Sequence, residues 1–254
     1  MTARADRTVD ALYQGLRGRF GGTGPGANGY VTAGFFRREQ RVLLALVVAT
    51  AAGRDDPPVI LDIACGSGLM LGDATARARL PAGTRVLGLD FNARACRDAA
   101  ANGVRIARGD AFRLPFADGA LSHAVNCQFL NQQTAAARAP FLAEAHRVLA
   151  PGGHLILLWR KADSWPHRAV NALLSARDRR AGRPVFPQVD HPMAALIAEA
   201  EATGFRVARA GVTLPVAPRP GGAAPVLGAR SPLARPLGAS NLLVLRKAAP
   251  GGAP

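Results

Sequence analysis

Asp62, Gly66, Gly68 and Asp90 are the residues whose types and spacing could do chemistry. Asp62 stands inside the apolar run Val59-Ile-Leu-Asp-Ile63, and the small-residue turn Ala64-Cys-Gly-Ser-Gly68 follows it. Glycines there let the backbone pass close to a ligand, and the N–H groups that open the next helix favour a negative group. In a dinucleotide site the acid follows the glycines, which run G-x-G-x-x-G. Here Leu71 takes the place of the third glycine and an acid precedes the turn. A carboxylate at that point suits a ligand carrying an ammonium group. Asp90 lies 22 residues after Gly68 (90 − 68), about the distance at which an acid takes the ribose hydroxyls in a nucleotide-binding βαβ unit.

These residues need a scaffold, and the chain alternates strand and helix signals. The run at 59–63, bounded by glycine, reads as a strand buried on both faces, with a helix over 67–80 after the turn. Further strands are expected at 85–90, 104–107, 121–127, 154–159, 204–208 and 241–245, and helices over 34–51, 93–101, 138–149 and 194–203. The alternation implies an α/β doubly wound parallel sheet. Residues 1–30 and 215–239 are rich in breakers and are expected to border the mouth of a pocket. The division expected is an N-terminal extension with a cap helix over 1–52 and one domain over 53–254.

Two later stretches complete a pattern. Asp110-Ala-Phe-Arg-Leu-Pro-Phe116 follows the third strand, and Glu144-Ala-His-Arg-Val-Leu-Ala-Pro-Gly-Gly153 leads into the fifth. With the turn at 64–68 and Asp90, they resemble the class I S-adenosylmethionine-dependent methyltransferases, in order, across residues 59–159. The resemblance implies a Rossmann-like, seven-stranded doubly wound sheet with an antiparallel last strand and an N-terminal helical cap. It implies S-adenosyl-L-methionine as cofactor. Asp62 with the backbone of Ala64, Cys65, Gly66, Ser67 and Gly68 would hold its methionine part, Asp90 the ribose hydroxyls, and Asp110 with Ala111 the adenine. Phe91 or Phe112 would flank the ring, and Asn126 would end the fourth strand beside the ammonium group. His123 departs from the pattern, because the family usually has Asp there. The stretch Asn28–Arg41 is similar to the N-terminal cap of quinone-biosynthesis C-methyltransferases, which act on bulky aromatic or isoprenoid acceptors. That similarity implies a small, largely apolar acceptor.

A sulfonium already activates its methyl group, so such an enzyme must chiefly hold a nucleophile in line, which can be worth ~7–11 kcal/mol. A general base is needed only if the acceptor arrives protonated. Tyr30, Asp163, His167 and His191 are the candidates, and Tyr30, Trp165 and Phe186 are candidates to line the substrate pocket. Trp159 could belong either to that lining or to the core.

Composition sets the bounds. The 254 residues hold no uncharged apolar run of 18, and their three cysteines have no metal spacing and are odd in number, so no membrane span, no metal and a cytoplasmic, reduced protein are expected. The net charge of +15 comes from 30 Arg and 2 Lys against 17 acids. It raises the alternative of a nucleic-acid (RNA) methyltransferase, and a non-methylating scaffold or regulator is a third reading. Asn126-Cys-Gln-Phe129 lacks the paired prolines common in base-modifying enzymes, and with only 2 Trp and 2 Tyr stacking surface is scarce. No specific nucleic-acid partner is therefore expected.

Overall fold

The computed structural model describes residues 33–161, 163, 165–182, 189–214 and 226–249. After a long helix α1 (Ala33–Ala51) the chain forms β1 (Val59–Ile63), α2 (Leu69–Gly72), α3 (Ala74–Arg77), β2 (Arg85–Asp90), α4 (Ala93–Ala101), β3 (Arg105–Arg108) and β4 (Leu121–Cys127). Then come α5 (Arg138–Val148), β5 (Leu149–Arg160), α6 (Trp165–Arg180), α7 (Met193–Ala202), β6 (Phe205–Thr213), β7 (Val226–Gly228), α8 (Ala234–Leu237) and β8 (Ser240–Lys247).

All eight strands join one sheet in the order β3-β2-β1-β4-β5-β8-β6-β7. The first five in that order run parallel, and β8 lies antiparallel between β5 and β6. The doubly wound sheet with an antiparallel last strand is thus present, with one correction to the expected seven strands. The three-residue β7 pairs with β6, and it and α8 fall in the stretch read as loop over 215–239. Three residues are too few to show an alternating pattern. A second correction concerns the helix expected over 67–80, which breaks at Asp73. That residue is extended (φ −70°, ψ 158°), and its carboxylate accepts from the Ala76 amide at 2.6 Å. Aspartate favours a helix cap over a helix interior, so one helix becomes two.

Period-2 alternation assigns the two faces. Leu61, Ile63, Leu89, Leu157 and Leu243 meet Phe141 and Leu142 of α5 and Leu196 of α7. Ile60, Val125, Leu158 and Leu242 meet Phe36, Leu43 and Val47 of α1 with Met70 and Leu71 of α2. α1 runs against the parallel strands. Near its start, the Gln40 amide donates to the Leu69 and Met70 carbonyls beyond the end of β1 (2.9 and 3.2 Å). Near its end, the Thr50 hydroxyl lies 3.1 Å from His123 Nε2 in the first half of β4. The first turns of α1 therefore reach the carboxyl edge of the sheet. Among the described residues, no helix is long and apolar enough to cross a membrane.

Candidate cofactor and acceptor site

The turn after β1 is left-handed at Ala64 (φ 57°), Gly66 (φ 57°) and Gly68 (φ 72°). Gly68 has a second constraint, because a Cβ there would sit 2.6 Å from Val104 Cγ2. The Cys65 amide donates to the Leu89 carbonyl (3.0 Å), which ties the turn to β2. Asp90, at the end of β2, accepts from the Gly66 amide (2.8 Å) and the Asn92 amide (2.9 Å). Burial pushes its carboxyl up, and the amide hydrogen bonds pull it back. Asn92 caps α4 by accepting from the Arg94 and Ala95 amides, and Asn102 at the far end of that helix donates to the Ser67 carbonyl (2.9 Å). The turn is thus held from both ends of α4.

Asp62 is different. It is 3% exposed, and its Oδ2 has no hydrogen-bond partner. Burial, and secondarily the charge of Asp90, push its carboxyl up to about 8. Leaving such an oxygen unpaired costs about 1–3 kcal/mol or more. A ligand cation would remove that cost, so these residues fit the ammonium-bearing group that the resemblance implies.

Asp110 follows β3, and its carboxylate accepts from the Phe112 amide at 2.9 Å. Ala111 beside it is buried, and the half-buried Phe112 ring lies 6.0 Å from Phe129. The Arg108 side chain donates to the Phe91 carbonyl (3.0 Å) with its guanidinium 5.7 Å from that ring. Asn126 is buried in β4 and donates to the Ile63 carbonyl (2.8 Å), which joins β4 to the last residue of β1. The fold brings Asp62, Ala64–Gly68, Asp90, Phe91, Asp110, Ala111, Phe112 and Asn126 to the carboxyl ends of four neighbouring parallel strands. Open α/β sheets bind ligands at that edge.

Of the base candidates, the side chains of Asp163 and His191 fall among the described residues. Asp163 is exposed and accepts from Lys161. His191 is fully buried, with Nε2 2.6 Å from the Leu130 carbonyl and Nδ1 3.4 Å from Arg138 Nη1. Its own carbonyl accepts from Trp159 Nε1 (2.9 Å), and Trp159 is part of the core. Tyr30 and Phe186 lie outside the described residues, as do the side chains of Trp165 and His167 at the start of α6.

Two residues escaped sequence reasoning. Glu39 is fully buried in α1, with Oε1 accepting from the Thr213 hydroxyl (3.1 Å) and Oε2 without a partner. The signal was an acid on the apolar stripe, three residues after Phe36 and four before Leu43. Gln128, just past β4, is buried with φ 65°, and neither its amide oxygen nor its amide nitrogen has a partner. Nothing in the sequence marked it. A groove of about 430 Å³ lined by Arg77, Arg85 and Arg105 lies at the amino ends of β2 and β3, opposite the acidic site. Among the described residues, no group of three or more His, Cys, Asp or Glu side chains could hold a metal.

Comparison with known proteins agrees with this geometry. Residues 61–157 match the family model described as a methyltransferase domain. A demethylmenaquinone methyltransferase of Thermus thermophilus is 43% identical over 111 residues, covering 40% of this chain and 47% of its own length. The chain therefore spans about half the length of that relative. Among solved structures, a SAM-dependent methyltransferase of Thermotoga maritima has a TM-score of 0.59 at 18% identity, over 84% of this chain and 91% of that one. A magnesium protoporphyrin IX methyltransferase of Synechocystis with bound SAH has a TM-score of 0.60 at 15% identity, over 96% and 99%. At those identities the likeness to the two structures is one of fold.

Proposed function

Because this chain carries a class I S-adenosylmethionine-dependent methyltransferase domain, with S-adenosyl-L-methionine as its cofactor, we propose that it methylates a small, largely apolar organic molecule. The carrying observation is the buried, unpartnered oxygen of Asp62 beside the Asp90-clamped turn, an anionic socket fitted to a cationic ligand. The cofactor supplies a methyl group already activated by its sulfonium. The protein's part is to bind, orient and exclude water. Asp62 meets the ammonium group, the carboxylates of Asp90 and Asp110 meet hydroxyl and amine donors, and Phe91 or Phe112 covers a flat ring. Asp90 has both carboxylate oxygens, and Asp110 has one, engaged by local amides, which fixes each carboxyl plane before any ligand arrives.

The acceptor reading rests on the walls. Phe36, Leu158 and Leu242 lie in the apolar layer under α1, and Phe112 and Phe129 tilt together past β3 and β4. The name of the Thermus relative gives a quinone acceptor. Tyr30, Trp165 and Phe186 remain proposed lining residues, and Tyr30, Asp163, His167 and His191 proposed bases. Incubating the protein with methyl-labelled S-adenosylmethionine and total cellular RNA, DNA and organic-extractable metabolites tests the proposal. Label is expected in the organic fraction; label in nucleic acid alone would reverse the choice of substrate class.

A further inference from the structure

The cofactor reading accounts for Asp62 and leaves a second buried acid unexplained. Glu39 lies on the same side of the sheet, as strand register establishes. Asp62 pairs with Val125, so Cys127 stands one alternation higher on β4; Cys127 pairs with Leu158, and Arg160 two residues on pairs with Ser240. Ser240 pairs with Thr213, whose hydroxyl Glu39 holds. Glu39 is therefore anchored on β6, four strand spacings from Asp62 on β1, roughly 19 Å at ~4.8 Å per strand. Cys127 lies between them, its thiol pushed up by burial and then by the charges of Asp62 and Glu39.

The surroundings of Glu39 limit what can meet its open oxygen. Phe36, Leu158, Leu242 and Val244 form the apolar layer in which α1 is seated. Arg38 Nη2 lies 3.6 Å from Glu39 Oε1, its guanidinium covers the Phe35 ring at 4.4 Å, and the buried Ser240 hydroxyl is the remaining protein donor near this carboxyl. A protonated amine at this acid would bring a second cation beside Arg38. A neutral hydroxyl would supply the missing donor without that repulsion, and a wholly apolar molecule would leave Oε2 unpaired.

Resting on the methyltransferase reading above, we propose that Glu39 is the specificity-determining residue for the methyl acceptor, its Oε2 accepting a hydrogen bond from a neutral hydroxyl on an otherwise apolar molecule. Thr213, Ser240 and Arg38 hold the carboxyl plane from the protein side. Gln128, on the same edge and with its amide unpartnered, offers a second polar contact to whatever is bound there.

The test uses 2-naphthol, naphthalene and 1-naphthylmethylamine as probes, titrated by NMR into the protein saturated with S-adenosylhomocysteine. Wild type is expected to prefer 2-naphthol to naphthalene by roughly five- to tenfold, about the worth of one hydrogen bond, and to bind the ammonium probe no better than naphthalene. Glu39→Leu should erase the preference, and Glu39→Gln, which keeps an acceptor oxygen, should keep part of it. Thermal melts check that each variant is folded, and both should bind S-adenosylhomocysteine within twofold of wild type. No preference in wild type, an undiminished preference in Glu39→Leu, or preferential binding of the amine overturns the proposal. Wild type that fails to bind S-adenosylhomocysteine refutes the cofactor reading instead, so the two failures are distinguishable.

Discussion

The two edges of this sheet treat buried polar groups in opposite ways. At the amino edge they are spent on one another. Ser122 Oγ accepts from the Val59 amide (2.9 Å) and lies 2.9 Å from His123 Nδ1, whose other nitrogen meets Thr50. That chain joins β1, β4 and α1, and His123 takes up the strand-supporting place where the resembling family has Asp. The His154 ring stacks on His123 at 5.6 Å, and its Nδ1 is the one unpartnered atom of this group. At the carboxyl edge Asp62, Glu39 and Gln128 all keep buried atoms unpaired. Each such atom costs about 1–3 kcal/mol, so the amino edge is built for stability and the carboxyl edge is completed by ligands.

Asp62→Asn probes the contrast most strongly. Cofactor-product affinity should fall by roughly 2–5 kcal/mol, the cost of truncating one member of a buried charge pair. The same variant should melt higher than wild type without ligand. The folded carboxyl titrates at about 8 against an unfolded value near 4, so the folded state binds more protons between those values. Apo stability should therefore decline as pH rises from about 4 to 8, and asparagine should flatten the decline. Calorimetry and melts across that window read both effects, and a variant that loses stability at pH 8 would place Asp62 among structural residues.

Asp90→Ala comes next. Removing the acceptor for the Gly66 and Asn92 amides should weaken S-adenosylhomocysteine binding by roughly 1.5–3 kcal/mol. Calorimetry showing undiminished affinity would remove Asp90 from the site.

The amino edge predicts the opposite pH response. Burial, then the neighbouring His154 and Arg54 charges, hold His123 down at about 4, below the unfolded value near 6.5. In this window the unfolded state binds more protons, so stability should fall as pH drops from 6.5 to 4, by at most about 1.4 kcal/mol per pH unit for one ring. Urea unfolding of His123→Gln should lose most of this slope; a slope equal to that of wild type would assign the acid response elsewhere.

What could be read in advance follows from the range of the interactions. The strands at 85–90 and 121–127 and the turn at 64–68 declare themselves within a few residues, and the alternation of the sheet followed from them, whereas its antiparallel last strand was implied by the family resemblance alone. Asp73 also acts locally, yet its choice of cap over helix interior competes with the apolar residues on either side. Gln128 and Glu39 are long-range features. Their lack of partners depends on where β5, β6 and β8 arrive, and only the position of Glu39 on an apolar stripe hinted at burial. β7 exists because β6 offers it an edge, which no three-residue pattern can announce.

The smallest effect is expected from the amino-edge groove, and it tests whether the contrast extends to the surface. Arg77, Arg85 and Arg105 line it, and Arg77 already donates to the Gly103 carbonyl (2.6 Å). Arg85 and Arg105 are exposed at the starts of adjacent strands β2 and β3, one strand length from Asp90. Their guanidiniums add to the overall +15 but face no buried unpaired acid. Salt screens exposed charges over about 8–10 Å, so they should exert little pull on a ligand at the far edge. Arg85→Ser with Arg105→Ser should leave S-adenosylhomocysteine affinity and methyl transfer within about twofold of wild type, while non-specific RNA binding weakens and its dependence on salt becomes shallower by up to two phosphate contacts. Filter binding across salt concentrations, beside calorimetry, measures both. If the double variant instead loses methyl transfer to an RNA substrate, the basic edge is the functional one and the preference for a small apolar acceptor falls.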